Sequence, residues 1–597
     1  MMRQFTNRTR LAATLGTLAA LLLCSSAARA QDPVDELQKA LSMRSDERRA
    51  PTEAMLEYRR AALEKRVAAL RTIADLRRAL VMWKSDPDLI SKDDPRVTKM
   101  DDDFRTRVGT RLRKSLANAA KDKNIYARLA AANLIAEMGP TVRALEQGDF
   151  NGYARSLEPI AIALVRDSDL GVRLEALRAL GNINADPKSA IPVLVQALQQ
   201  TDKEAEARRE AARAMLQMVK VVNALQGQTK TGIAAGPMDL ADTAGRVLRG
   251  AGAGLIDPDA QVRKLCLEAI QAVAAAYAQT PGAYKRTDFP PHGRALTPND
   301  ILDIKMKYEA VRKYQKELYP VLKEAADQGK PLAQTLLDPD LRVRQAALST
   351  SQDLAHLRLR LRQRVVSLPT LPEGKAPKSD PEFATPLDGL VKELLPNVIA
   401  IADDADVTVR RRAVEFIEQL DEDGAPGIPT LIARLLDGDR FVRWAAARAL
   451  DNLDPRQIRS AVPVLARLLY DPDLDVRLAT VRTLEGMGPH ARAAVPFLLK
   501  GILFGDPEIR IGIMHTVASI GPEHAQDAIP NLIRSLNYEA SPDARVRQTA
   551  AEILGKFGPS ATTAVPALRQ ALGDDDADVR SRAADALLSI LVPAAKD

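Results

Sequence analysis

Apolar residues in the last third of the chain keep two alternating beats. In Ala461-Val462-Pro463-Val464-Leu465-Ala466-Arg467-Leu468-Leu469 the leucines fall at helical spacing, and Pro463 sits in the first turn, where its missing N–H costs no hydrogen bond. The run Asp471-Pro472-Asp473-Leu474-Asp475 follows, supplying a turn, a capping carboxylate and acids at the positive end of a second helix. Val476, Ala479, Val481, Leu484 and Met487 form the apolar side of that helix, and Gly488-Pro489 stops it. The pattern predicts a helix pair, A then B.

The pair repeats. Val409-Arg410, Val442-Arg443, Val476-Arg477, Ile509-Arg510, Val546-Arg547 and Val579-Arg580 place arginines 33, 34, 33, 37 and 33 residues apart. Pro396, Pro429, Pro463, Pro496, Pro530 and Pro566 keep the same beat, so two markers run in phase over six units. Upstream the grammar continues with interruptions, giving eleven units anchored at Arg128, Arg173, Arg208, Arg263, Arg344, Arg410, Arg443, Arg477, Arg510, Arg547 and Arg580. The predicted fold is all-α, a right-handed α–α superhelix in which each repeat covers the next and a terminal unit needs a cap.

Boundaries follow from where the beat fails. Residues 116–367 read as repeats with insertions, 368–386 as a Pro-rich loop or linker, and 387–597 as the regular array. One insertion spans Gly227 to Gly254. Its Gly250-Ala251-Gly252-Ala253-Gly254 run lacks the lysine and hydroxyl of a phosphate loop and is expected to be flexible. Another runs from Thr280 to Pro298, before a polar helix bearing Lys305, Lys307, Lys313 and Lys316. Residues 31–115 are expected to form a helical N-terminal cap, with one long helix over Thr52 to Trp83; its apolar stripe, Leu56 through Leu80, leaves a dimerising coiled coil as the alternative.

The repeated acids and arginines call for a structural account first. An arginine early in each B helix can reach the turn acids of a neighbouring unit, making a charge-assisted ladder along the stack. Its expected members are Arg173, Arg263, Arg344, Arg410, Asp439, Arg443, Asp473, Arg477, Arg510, Arg547, Asp578 and Arg580. Candidate partner-binding residues are Phe441, Trp444, Arg448 and Arg482, with packing between helices as the alternative for the two aromatics.

Residues 1–30 read as a secretory leader: Arg3, Arg8 and Arg10, an apolar run from Leu11 to Leu23, and Ala28-Arg29-Ala30 as the cleavage site, with the mature chain starting at Gln31. Cys24 leaves a lipoprotein leader as the alternative. The apolar run is shorter than a bilayer span, so no transmembrane segment is expected. Removing four arginines takes the formal charge from +7 to +3. A balance so near neutral does not favour nucleic acid. Charge is uneven, however: 23 Lys and Arg against 29 acids from Pro396 on, leaving residues 31–395 at +9. Cys266 alone remains in the mature chain, which excludes an intramolecular disulfide, and its Leu265-Cys266-Leu267 setting predicts a buried thiol.

The repeat residues resemble bacterial HEAT repeats, especially the phycobilisome lyase-type HEAT-like form, whose B helices also open on Asp-x-x-Val-Arg. The likeness covers roughly 120–595 and is strongest from Pro396 on. It implies a superhelical scaffold, and among its relatives chromophore lyases, DNA glycosylases and a di-iron hydroxylase. The hydroxylase pattern of His-Glu pairs is missing, since the five histidines precede Gly293, Leu357, Ala491, Thr516 and Ala525. His490, His515 and His524 fall in adjacent units but read as two connection residues and one helix residue rather than a metal cluster. No catalytic residue, metal site or cofactor is assigned. The reading is an exported, periplasmic or extracellular scaffold for a protein or peptide partner in the cell envelope. A lyase-like cofactor handler and a binder of an anionic envelope polymer are the alternatives.

Overall fold

The computed structural model describes residues 110–137, 156–183, 185–199, 204–228, 240–279, 297–366 and 385–591. The expected leader at 1–30, nearly all of the cap at 31–115, most of the 280–298 insertion and nearly all of the 368–386 stretch lie outside them. Contacts divide the chain into two compact units, one of residues up to Thr335 with Leu357–Leu390, the other of Leu336–His356 with Val391–Asp597.

The first unit contains α1 (Thr110–Ala119), α2 (Ile125–Glu137), α3 (Glu158–Leu164), α4 (Leu170–Asn182), α5 (Pro187–Gln199), α6 (Ala205–Gln228), α7 (Leu240–Gly254), α8 (Ala260–Gln279), α9 (Pro298–Asp327) and α10 (Gly329–Leu336). Helices α11 (Leu341–Val366) and α12 (Thr385–Ile401) pass from one unit into the other. The second unit continues with α13 (Val407–Glu418), α14 (Ile428–Arg434), α15 (Arg440–Asp451), α16 (Val462–Leu468), α17 (Leu474–Met487), α18 (Val495–Gly501), α19 (Pro507–Ile520), α20 (Ile529–Ser535), α21 (Ala544–Phe557), α22 (Val565–Ala571) and α23 (Ala577–Leu591). No strand occurs among the described residues. The B helices pack in succession, α2, α4, α6 and α8 in the first unit and α13, α15, α17, α19, α21 and α23 in the second.

The Val-Arg mark has two jobs. Val172, Val262, Val343, Val409, Val442, Val476, Val546 and Val579 are all fully buried, and each is the apolar plug of its B helix. Three residues after the arginine the chain prefers alanine: Ala131, Ala176, Ala211, Ala347, Ala413, Ala446, Ala550 and Ala583 have no exposed surface. Small side chains there let neighbouring helices approach closely.

Cys266 and Ile513 occupy that alanine position, and nine residues before the arginine of each repeat the chain has Gly254 and Gly501. A Cβ at Gly254 would lie 2.3 Å from Cys266 Sγ, and one at Gly501 the same distance from Ile513 Cδ1. The glycines thus make room for the larger partners. This corrects the expectation of a flexible insertion up to Gly254: from Leu240 on the segment is α7, the A helix of its repeat, and its glycines serve close packing.

In the regular array the A helices are short, and Pro429, Pro463, Pro496, Pro530 and Pro566 sit in their first turns, where no N–H is needed. Pro192 and Pro396 instead lie inside the longer helices α5 and α12. The connections after α17 and α21 are 3₁₀ turns entered through Gly488 (φ 53°) and Gly558 (φ 55°), left-handed positions that favour glycine.

Candidate partner-binding surface on the B helices

The two acids of each Asp-x-Asp turn divide their work. Asp406, Asp439 and Asp473 cap α13, α15 and α17, each accepting two backbone N–H groups of the first turn. The acid two residues earlier accepts the arginine of the preceding repeat. Arg410 donates Nε and Nη2 to Asp437 at 2.9 and 3.0 Å, Arg443 does the same to Asp471 at 2.8 and 2.9 Å, and Arg547 to Asp574 at 2.8 Å each. The third guanidinium nitrogen turns back on its own repeat: Arg443 Nη1 donates to the carbonyls of Asp437 and Gly438 just past α14. One side chain therefore satisfies carbonyls of its own Asp-x-Asp turn and clamps the next repeat.

Arg344 pairs with Asp404 at 2.7 Å, Arg128 with Asp167 at 2.6 Å and Arg208 with Asp257 at 2.7 Å, the last pair almost fully buried. Arg173 pairs with Glu204, and Arg263 donates to the carbonyls of Asp257 and Pro258. These arrangements shift protonation equilibria. The hydrogen bond from Arg547, outweighing burial, holds the Asp574 carboxyl below the usual carboxylate range. Burial pushes Asp437 up, but the hydrogen bond and charge of Arg410 bring it below that range.

Five expected ladder members need correction. Asp439 is a helix cap, and so is Asp473, which meets Arg440 at 3.0 Å rather than a repeat arginine. Asp578 is exposed in the first turn of α23, and Arg580 reaches only the carbonyls of Asp574 and Asp575 among the contacts described. Arg510 is the fifth. It makes no ion pair among the described residues and donates instead to the carbonyl of Ile502 and to Ser541 Oγ.

Beyond the ladder, the B helices offer two surfaces. In the first unit α4 and α6 leave a groove of about 620 Å³ lined by Leu174, Glu175, Arg178, Asn182, Glu206, Arg209, Glu210, Arg213 and Gln217. Its floor forms where Gly181 meets the backbone of Ala214. Arg178 and Arg213 are more than half exposed at its mouth. Acids and bases are equal in number along it, so it presents both signs over a short apolar floor. The sequence reading did not single these residues out, although Arg178 and Arg213 hold the same register five residues after their repeat arginines as Arg448 and Arg482 do.

In the second unit Phe441 is exposed and held between two guanidinium groups, Arg440 at 4.5 Å and Arg411 at 5.0 Å from the ring centre. Trp444 is half-buried under Arg448, 4.5 Å away, and Arg448 also pairs with Glu418 at 2.6 Å. Arg482 is exposed and acts on Asp451 through space. Burial raises the Glu418 and Asp451 carboxyls despite these arginines. The four candidate residues thus share the B-helix side of α15 and α17.

His490, His515 and His524 do not converge. His490 Nδ1 meets the Arg459 guanidinium at 2.7 Å in a 3₁₀ turn, His515 lies in α19, and His524 is exposed. Among the described residues no group of three or more His, Cys, Asp or Glu side chains is arranged to hold a metal ion. No described helix is long and apolar enough to cross a membrane.

No curated protein matches the chain in sequence. Among solved structures, an engineered protein is 18% identical over 80% of this chain and 98% of its own, with a TM-score of 0.39. Yeast importin-β (Kap95p) is 14% identical over 94% of this chain and 63% of its own, with a TM-score of 0.38. A Kap95:Nup1 complex aligns at 15% identity over 98% and 65%, with a TM-score of 0.41. The family description "HEAT repeats" matches residues 157–226, 395–485 and 536–597. In these three stretches the helix pairs and Asp/Arg turns described above match HEAT repeats, and the described residues of both units are all-α.

Proposed function

We propose that this chain is an exported scaffold that holds a protein or peptide partner on the exposed faces of its B helices, in the periplasm or outside the cell. The observation that carries the reading is the groove between α4 and α6, whose alternating acids and bases line a short apolar floor. Such a surface suits polypeptide, which presents amides and both charges, better than a uniformly anionic polymer. The exposed Phe441 with its flanking arginines and the Trp444–Arg448 pair supply anchors of the type that dominates binding energy at protein interfaces. The leader-like residues 1–30 support export.

The test is capture from an envelope extract by chain starting at Gln31, at low and high salt, with two double variants: Arg178→Glu with Arg213→Glu, and Arg448→Glu with Arg482→Glu. A stoichiometric protein that survives salt and is lost with either double variant is the expected result. Retention of only a pigment, a metal or an acidic polymer overturns the reading, as does a protein held equally by both double variants.

A further inference from the structure

The repeat of α18 and α19 is irregular on both of its sides. Six residues before each repeat arginine the regular turns carry the acid that receives the neighbouring arginine: Asp404, Asp437, Asp471 and Asp574. Counting six back from Arg510 gives Phe504, which is 72% exposed, and six back from Arg547 gives Ser541, which is fully buried.

Both rungs adapt at a cost. With Phe504 in the acceptor place, Arg477 reaches forward to the capping acid, Asp506, at 2.7 Å. Asp506 in turn makes no side-chain cap to α19, unlike Asp439 and Asp473 on their helices. With Ser541 in the next acceptor place, Arg510 is buried with neutral partners only, and burial draws its guanidinium below the usual arginine value. Asp543 acts on Arg510 through space but no carboxylate bonds it, and a buried cation without a bonded counter-ion is held less firmly than a paired one. Four extra residues in the turn before α21, visible as the 37-residue spacing, accompany the change. Among the successive B helices from α13 to α23, α19 and α21 also pack against each other least extensively.

We propose that the α19–α21 junction is a built-in joint of the second unit, where the array opens locally before its neighbours do. At this junction the arginine lacks a bonded carboxylate and the packing is thin, and α19 itself starts without a side-chain cap, whereas Arg443–Asp471 and Arg547–Asp574 hold the junctions nearby with bidentate bonds. The joint lets the surface formed by α13 to α19 change its angle to α21 and α23 without unfolding either part.

Hydrogen exchange on the full chain tests this, with Ser541→Asp to restore the acid of the regular turn and Ser541→Asn as the neutral control. Amides of α19 and the 537–541 turn are expected to exchange at least tenfold faster than those of α15, α17 and α21. Ser541→Asp should slow them toward their neighbours at neutral pH, and Ser541→Asn should not. Asp574→Ser provides a second route that does not depend on Ser541 accepting a larger side chain: it should carry the fast-exchange pattern to the α21–α23 junction. Equal protection of α19 and its neighbours in the unaltered chain overturns the proposal. So does a folded Ser541→Asp variant with unchanged exchange, or an Asp574→Ser variant that leaves α21 and α23 as protected as before.

Discussion

Replacing Asp437 by asparagine removes the negative charge at which two arginines meet while keeping the side chain's shape. Asp437 is buried and accepts Arg410 Nε and Nη2 at 2.9 and 3.0 Å, Arg434 Nη1 at 3.2 Å and the backbone N–H of Asp439 at 3.0 Å. Asparagine retains one acceptor oxygen and turns an amide toward a guanidinium. At about 1.5–3 kcal/mol for a hydrogen bond to a charged group, and about 3–5 kcal/mol for breaking a fully buried pair, the loss would be large. Arg410 keeps 17% of its side chain in solvent, so water relieves part of the stranded charge. The expected cost is about 2–4 kcal/mol near neutral pH.

Trp444 offers the readout, because it sits in the helix that Asp437's turn introduces. With Trp83→Phe as background, urea unfolding followed at Trp444 reports this repeat, and the midpoint should fall with little change of slope. The pH dependence has a definite sign. Since the folded carboxyl is held below its ordinary value, its stabilisation is complete above about pH 4 and is lost as pH falls through the lowered folded value. The difference between the two proteins should therefore shrink in acid. A loss at pH 7 under about 0.5 kcal/mol, no more than an exposed pair such as Lys556–Glu552 gives, would refute the bracing role.

Other expectations follow from the same geometry. Asp439→Ala, which removes the cap of α15, should cost about 1 kcal/mol in the same urea assay, and an unchanged midpoint would count against the cap. Gly254→Ala drives a methyl into Cys266 Sγ and should cost about 1–3 kcal/mol, with much of it recovered in the Gly254→Ala, Cys266→Ala double variant measured by thermal unfolding. Burial pushes the Cys266 thiol pKa upward, so in chain starting at Gln31 iodoacetamide at pH 8 should label it only after denaturation; rapid labelling of the native protein would show an open path to the sulfur.

Much of the architecture was legible because each mark has a local cause. Proline starts, Asp caps, Val-Arg pairs and Gly-Pro stops are consequences of helix ends, and helix ends are decided by neighbours in sequence. The labour shared by Asp437 and Asp439 was not legible: both are acids in one turn, and only the arriving Arg410 of another repeat tells them apart. The Gly250–Gly254 run looked like a flexible insertion because composition speaks of the isolated chain, whereas the size of Cys266 across the helix pair makes Gly254 a packing requirement. The groove between α4 and α6 was missed for a related reason. Its lining comes from two repeats, and the proximity of Gly181 to Ala214 that sets its floor is a property of their approach rather than of either helix. Ser541, by contrast, stands in plain register with Asp437 and Asp471, and counting six back from Arg547 would have exposed the broken rung.

The ladder also sets the terms on which the chain can lengthen. A rung closes a loop of 27 residues between Arg410 and Asp437, 28 between Arg443 and Asp471 and 27 between Arg547 and Asp574. Between Arg344 and Asp404 the same bond closes 60. The entropy of closure grows only with the logarithm of length, so that rough doubling costs about 0.6–0.7 kcal/mol. An insertion between an arginine and its acceptor is therefore cheap compared with the rung that spans it. Loss of one acid costs more than the gain of thirty residues, which lets new segments accumulate beside the A helices while the turn itself stays fixed.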